Sequence, residues 1–223
     1  MSTVVVIEDE ADLRELLQYN LEKMGHKVVP LANANDALIV LEDLPADLIL
    51  LDLMLPGLSG LHFLEIIRRK NIMTPVIIIS ARNSEHDLIS ALDNGADDYI
   101  TKPFSIDFLE AKVNAMLRRG RSDTLSGGKK NRQGIYMDDD TRKVTVDSVI
   151  IHLTQKEYEL LSLLMGNPHK VFNRNQLLNS VWGYDSDIFT RTVDSHIASL
   201  RKKLGDKGYF IRSVPKVGYS WED

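Results

Sequence analysis

The first 119 residues alternate short, β-branched apolar runs with longer amphipathic stretches, and no other feature restricts the possible folds so strongly. Thr3–Ile7, Lys27–Leu31, Asp47–Leu51, Val76–Ile79 and Asp98–Ile100 read as strands. Helical periodicity falls between and after them, near 10–24, 34–43, 59–70, 84–94 and 105–119. Three of the strands (VVVI, LILL, VIII) are apolar at every position, as strands covered on both faces must be. Five such β-α units predict a doubly wound parallel sheet, an α/β fold.

The pattern then breaks. Arg118–Gln133 (RRGRSDTLSGGKKNRQ) holds three glycines, many charges and one strongly apolar residue, which reads as a linker with its flexible part at 120–133. A first domain at 1–119 and a second at 134–223 follow. The second opens with strand-like pieces at Gly134–Met137, Lys143–Val146 and Val149–His152. Thr154 then stands three before Glu157 in a capping-box arrangement, with Leu153 and Tyr158 placed as a hydrophobic staple. That helix stops near Gly166, before Pro168. Another follows the cap Asn173, a third runs from Thr190 to Leu204, and Tyr209–Trp221 reads as a hairpin turning at Pro215-Lys216-Val217-Gly218.

Composition sharpens this division. Residues 1–120 hold 11 Lys+Arg against 19 Asp+Glu, whereas 121–223 hold 16 against 13. An acidic half joined to a basic half suits a chain whose second half alone meets a polyanion. Cysteine is absent, which excludes disulfides and thiolate metal sites. No apolar run approaches the ~18 residues of a membrane span. No basic segment precedes the first strand, so no signal peptide is expected and a cytoplasmic location is the default.

In parallel α/β sheets, sites form outside the carboxyl ends of the strands. Glu8 and Asp9 follow the first strand, Asp52 the third, Ser80 the fourth and Lys102 the fifth. Clustered carboxylates invite a hard cation, and Mg²⁺ can bridge such a cluster to a phosphate. A carboxylate beside that metal can act as nucleophile toward a phosphoryl group, with Lys102 and Ser80 receiving its oxygens. A phosphatase or mutase would need a second aspartate two positions on as general acid. Met54 stands there instead.

Glu8-Asp9, Asp52 in LILLDLMLPGLSG, Ser80-Ala81 and Tyr99-Ile-Thr-Lys102-Pro103-Phe104 resemble the receiver domain of two-component response regulators over about 119 residues. The resemblance implies a sheet of order 2-1-3-4-5 and phosphate transfer to Asp52 from a sensor histidine kinase. It further implies a Mg²⁺ site made by Asp9, Asp52 and the Met54 backbone carbonyl, with Glu8 acting through water, and a Ser80/Tyr99 switch pair. A cis Lys102–Pro103 bond is expected, and Met54 and Arg82 would flank the path of attacking water. Slow self-phosphorylation and self-dephosphorylation at Asp52 would be the only chemistry, not enzymatic turnover. Relatives also dimerise on phosphorylation through the fourth helix, fifth strand and fifth helix. Asp97, Asp98, Lys112 and Arg119 match charged positions of that face, whereas Leu88 and Phe108 replace a common Arg–Glu pair and Asn114 a usual basic residue.

On the third helix of the second domain, Val193, Ile197, Leu200 and Leu204 form the core stripe. Small residues and cations fill the other side, which suits a helix lying deep in a major groove. TQKEYELLSLL, LLNSVWGY, TRTVDSHIASLRKKLG and IRSVPKVGYSW resemble the winged helix-turn-helix effector domain of the OmpR/PhoB family over about 90 residues. By that resemblance Arg191, Thr192, His196, Arg201 and Tyr219 touch phosphates, and Lys216 restores wing charge lost where Pro215 replaces an arginine. Ser195, Ala198, Ser199 and Lys202 face base edges, Ser199 standing where relatives often carry an arginine. Binding as a homodimer to direct repeats in double-stranded DNA, and contact of Trp182–Asp187 with RNA polymerase, complete the expectation. The alternative is a phosphate-independent DNA-binding regulator whose receiver is a dimerisation module.

Overall fold

The computed structural model describes the chain apart from residues 82–83, 120–128 and 184–189, and apart from the side chains at 85, 118, 119, 190 and 191. The chain divides into two compact units, Met1–Arg121 and Ser122–Asp223.

In the first unit β1 (Thr3–Ile7), α1 (Ala11–Lys23), β2 (Lys27–Leu31), α2 (Ala34–Asp43), β3 (Leu48–Leu51) and α3 (Gly60–Arg69) alternate. They are followed by β4 (Val76–Ser80), α4 (Glu85–Asp93), β5 (Asp98–Thr101) and α5 (Ile106–Arg119). All strand pairs are parallel, in the order β2-β1-β3-β4-β5. The central strands β1, β3 and β4 are almost wholly apolar because both of their faces are covered. Val5, Ile7, Ile49, Leu51, Val76 and Ile78 meet α2 and α3 on one side. Val4, Val6, Leu48, Leu50, Ile77 and Ile79 meet α1 and α5 on the other. Pro30 sits in β2, an edge strand where its missing N–H leaves no central ladder broken. Asn33, Ser59 and Ser84 cap α2, α3 and α4, each side chain accepting from a backbone N–H three residues on.

The second unit opens with an antiparallel sheet, β6 (Lys129–Arg132), β7 (Ile135–Asp138), β8 (Lys143–Val146) and β9 (Val149–Ile151), in sequence order. Residues 129–132, expected within the flexible segment, are therefore a strand. Lys129–Arg132 has no apolar residue, and it is a strand because its backbone pairs with β7 at the sheet edge. Then come α6 (Gln155–Gly166), β10 (Phe172–Asn173), α7 (Arg174–Trp182), α8 (Thr190–Leu204), a 3-10 segment (Gly205–Phe210), β11 (Ile211–Val214) and β12 (Gly218–Trp221). Residues 209–210, read as part of the hairpin, thus belong to the 3-10 segment. The short β10 completes a sheet of order β10-β12-β11.

Thr154 and Glu157 close the capping box of α6, and Asn173 with Gln176 closes another at α7. Leu160, Leu161, Leu164, Leu177 and Trp182 pack with the α8 stripe Val193, Ile197, Leu200 and Leu204 and with Trp221. That burial fixes which face α8 turns inward. Among the described residues no helix is long and apolar enough to cross a membrane.

Candidate functional site

Because β1, β3, β4 and β5 run parallel, their carboxyl ends fall on one edge, and the polar residues that follow them meet there. The edge is held in register by backbone bonds: Asp52 N–H donates to Ile7 carbonyl (2.9 Å) and Lys102 N–H to Ser80 carbonyl (2.9 Å). Lys102 Nζ donates to Asp52 Oδ2 at 2.6 Å and to Glu8 Oε2 at 2.8 Å. Met54 N–H donates to Asp52 Oδ1 at 2.8 Å. Carboxylate oxygens of Glu8, Asp9 and Asp52 lie within 4.8 Å of one another, Glu8 and Asp52 buried and Asp9 exposed. Ser80 and Tyr99 are buried, and the Met54 side chain is half-exposed. The Lys102–Pro103 peptide is cis.

Burial raises the Glu8 carboxyl above its usual range, and the charge of Asp52 adds to this, with the bond from Lys102 opposing it. For Lys102 burial acts downward, yet its bonds to Asp52 and Glu8 carry the ammonium above the ordinary lysine value. Two carboxylates thus share one ammonium, with the third, Asp9, beside them. A hard, all-oxygen donor set with surplus negative charge fits a hard divalent cation.

Two residues of this pocket escape sequence reasoning. Arg14, partly buried in the first turn of α1, donates to the carbonyls of Glu8 (2.7 Å) and Asp9 (3.0 Å) and holds the acidic turn. Gly60, first residue of α3, is pressed onto the backbone of β3's exit. A Cβ there would lie 2.1 Å from the Asp52 carbonyl oxygen and 2.8 Å from Leu53 Cα. In the sequence Gly60 is visible only as the last residue of LILLDLMLPGLSG, with nothing there to mark its close approach to β3.

The residues expected on a dimer face are largely engaged within the unit. Asp97 is fully buried, accepting from Arg68 Nη2 (3.2 Å) and Val76 N–H (3.0 Å), so it offers no charge outward here. Asp98 and Lys112 pair with each other at 2.8 Å, both buried. Leu88 packs partly buried against the sheet core. Phe108 is 37% exposed, with the Lys112 ammonium 5.1 Å from its ring centroid. The side chain of Arg119 lies outside the described residues, as do Arg82 and the side chain of Arg191.

On α8 the structure separates residues that the sequence had grouped. Ala198 and Lys202 are exposed, and Ser199 and Arg201 are partly so. Thr192, Ser195 and His196 are buried and present no free side-chain surface to a groove as placed here. The His196 ring stands edge-on to Trp182, with Nδ1 2.9 Å from the Thr192 carbonyl. Arg201 donates to the Ile211 carbonyl (2.6 Å) and Ser213 Oγ (2.9 Å), anchoring α8 to β11. Tyr219 is buried, and its hydroxyl donates to Asp194 (2.6 Å), which also accepts from Arg174 (2.8 Å). Burial and the Asp194 bond raise that phenol. Lys216 is exposed at the hairpin turn with φ of 63°.

Residues 4–114 match the model of the response regulator receiver domain, and residues 147–221 match that of the transcriptional regulatory protein C-terminal domain. The chain is a two-component response regulator of the OmpR/PhoB family. It is similar to the response regulator ArlR of Staphylococcus saprophyticus, 42% identical over 221 residues and 98% of both chains. The phosphate regulon transcriptional regulatory protein PhoB of Rhizobium meliloti is 40% identical over 223 residues, again 98% of both. Among solved structures, a cysteine-substituted variant of RitR matches over the full length of both chains with a TM-score of 0.81 and 31% identity. The response regulator is thus a transcriptional regulator with a kinase partner and a winged-helix DNA-binding unit, and no catalytic enzyme domain is matched.

Proposed function

We propose that the regulator is switched by an acyl phosphate on Asp52, received from a phosphohistidine of its sensor kinase. The Asp52 carboxylate attacks phosphorus, the P–N bond breaks, and the imidazole nitrogen leaves with the electron pair. The observation that carries this reading is the Asp52–Lys102–Glu8 cluster on the carboxyl edge of a receiver sheet. Asp9, Asp52 and the Met54 carbonyl, with Glu8 through water, would hold Mg²⁺. That ion would offset charge on the carboxylates and the phosphoryl oxygens. Lys102 supplies a second positive charge already within 2.6 Å of Asp52, and Ser80 donates to the phosphoryl group while Tyr99 follows it. Slow self-phosphorylation from small phosphodonors and slow loss of the group complete the chemistry of the pocket, Met54 setting part of its lifetime.

The receiver would occupy 1–119 and the DNA-binding domain 129–223, since β6 pairs into its sheet, with a connection between them. Phosphorylation favours a homodimer through α4, β5 and α5, which binds direct repeats about one helical turn apart in cytoplasmic DNA. Arg191, Arg201, Lys216 and Tyr219 would serve the phosphate backbone, Thr192 and His196 joining them once uncovered. Ala198 and Lys202 would read base edges, and Trp182–Asp187 would touch RNA polymerase. Gel-shift affinity of wild type and Asp52→Asn, each with and without acetyl phosphate and magnesium, tests this. Tighter binding only for phosphodonor-treated wild type is expected; four equal affinities would establish phosphate-independent binding instead.

A further inference from the structure

α8 does not present its outer side as one uniform surface. Two stripes run along it at i, i+4 spacing, which places their members on one face each. Ala198 and Lys202 form an exposed stripe. Ser195, Ser199 and Lys203 form the neighbouring one, and it is engaged within the unit: Ser195 is 7% exposed, and the other two side chains, partly exposed, are held by one carboxylate. Ser199 Oγ donates to Glu157 Oε1 at 2.6 Å, and Lys203 Nζ donates to Glu157 Oε2 at 2.6 Å. Glu157 is itself 1% exposed and is already the closing residue of the α6 capping box, its Oε2 accepting from Thr154 N–H at 2.8 Å. Both of its oxygens are therefore engaged, and the first turn of α6 and the last two turns of α8 share a single anchor.

We propose that Ser199 is a positioning residue and not a base reader. With Lys203 it fastens the recognition helix to Glu157 and leaves base discrimination on α8 to the Ala198–Lys202 stripe. The inference rests on the DNA-reading function and assigns specificity within it. A hydroxyl that donates its only proton to a buried carboxylate has no proton left for a base acceptor. Using it as a donor to a base acceptor would strip Glu157, itself 1% exposed, of a charge-assisted bond. Lys202, one residue before Lys203 and on the exposed stripe, has no side-chain partner among the described residues and is long enough to reach a guanine edge. Ala198 can offer only apolar contact, as to a thymine methyl. Among the described side chains of α8 the recognition surface is then narrow: one cation, one methyl group and their flanks.

The test selects sites from randomised duplex DNA with the full-length regulator, comparing wild type, Ser199→Ala and Lys202→Ala. Ser199→Ala is expected to select the same base preferences as wild type with a uniform, less than tenfold loss of affinity. Lys202→Ala is expected to lose preference at one base position. A changed preference in Ser199→Ala at any base position, or an unchanged one in Lys202→Ala, overturns the assignment. A wild type that selects no sequence would refute the DNA-reading function itself, a distinct outcome. The clamp is read independently of DNA by a double-mutant cycle on urea midpoints with Glu157→Gln and Lys203→Met, and another with Glu157→Gln and Ser199→Ala. Losses well short of additive in both cycles support the shared anchor; additive losses overturn it.

Discussion

Replacing Lys102 with methionine isolates the electrostatics of the pocket. The ammonium lies 2.6 Å from Asp52 and 2.8 Å from Glu8, whose side chains are 4% and 2% exposed. Removing one partner of a buried ion pair costs about 3–5 kcal/mol, because the remaining charge stays desolvated. Lys102 is 18% exposed and Asp9 is open to solvent, so water reaches the mouth and lowers the cost to about 2–3 kcal/mol. At a urea m-value of about 1.5–2 kcal/mol per molar, the receiver midpoint falls by about 1–2 M. Amide exchange of β1 and β3 in the intact chain, followed against urea in chelator, measures this unit alone. Magnesium must then rescue the variant more than it stabilises wild type, since the cation no longer competes with Lys102 for the same oxygens. At ten times its Kd a bound ion contributes about 1.4 kcal/mol. A loss under about 0.5 kcal/mol, the range of an exposed surface pair, or equal stabilisation of both proteins by magnesium, would refute the reasoning.

Gly60→Ala should destabilise the receiver by about 1–3 kcal/mol, since its new methyl meets backbone and not a movable side chain; a urea midpoint unchanged from wild type would contradict the packing. In the second unit, burial first and the bond to Asp139 next raise the Tyr158 phenol. The folded protein therefore holds that proton above the pH near 10 where an unfolded tyrosine releases it. Its contribution is full below that pH and falls as pH rises beyond it. Trp182 and Trp221, both in this unit, report the urea midpoint, which should drop more steeply above about pH 10 in wild type than in Tyr158→Phe. Phe108→Glu places a charge on an exposed ring of α5 and should weaken phosphodonor-dependent dimerisation in sedimentation; unchanged dimerisation would remove Phe108 from the interface.

The receiver was legible because its signals are local or forced by topology. VVVI, LILL and VIII announce strands covered on both faces, and a parallel sheet then gathers Glu8, Asp52, Ser80 and Lys102 on one edge with no further information. The cap at Thr154 and the apolar stripe of α8 were equally plain. What stayed hidden depends on contacts between distant residues. Asp97 matches a surface position by motif, yet Arg68, 29 residues earlier, draws it inward. Ser199 stands on the outer side of α8 by angle, yet Glu157, 42 residues away, occupies its hydroxyl. A helical wheel gives direction around an axis, not the neighbour met there. Lys129–Arg132 forms a strand on backbone pairing alone, which side-chain patterning does not record.

The most direct measurement follows phosphoryl transfer to one side chain. Intact-mass and peptide spectra are recorded after the purified regulator meets acetyl phosphate with magnesium, and again with chelator in its place. The account predicts one added phosphoryl group, carried by the peptide containing Asp52 and absent from Asp52→Asn and from the chelator sample. No gain of mass, or a gain on another residue, would contradict it.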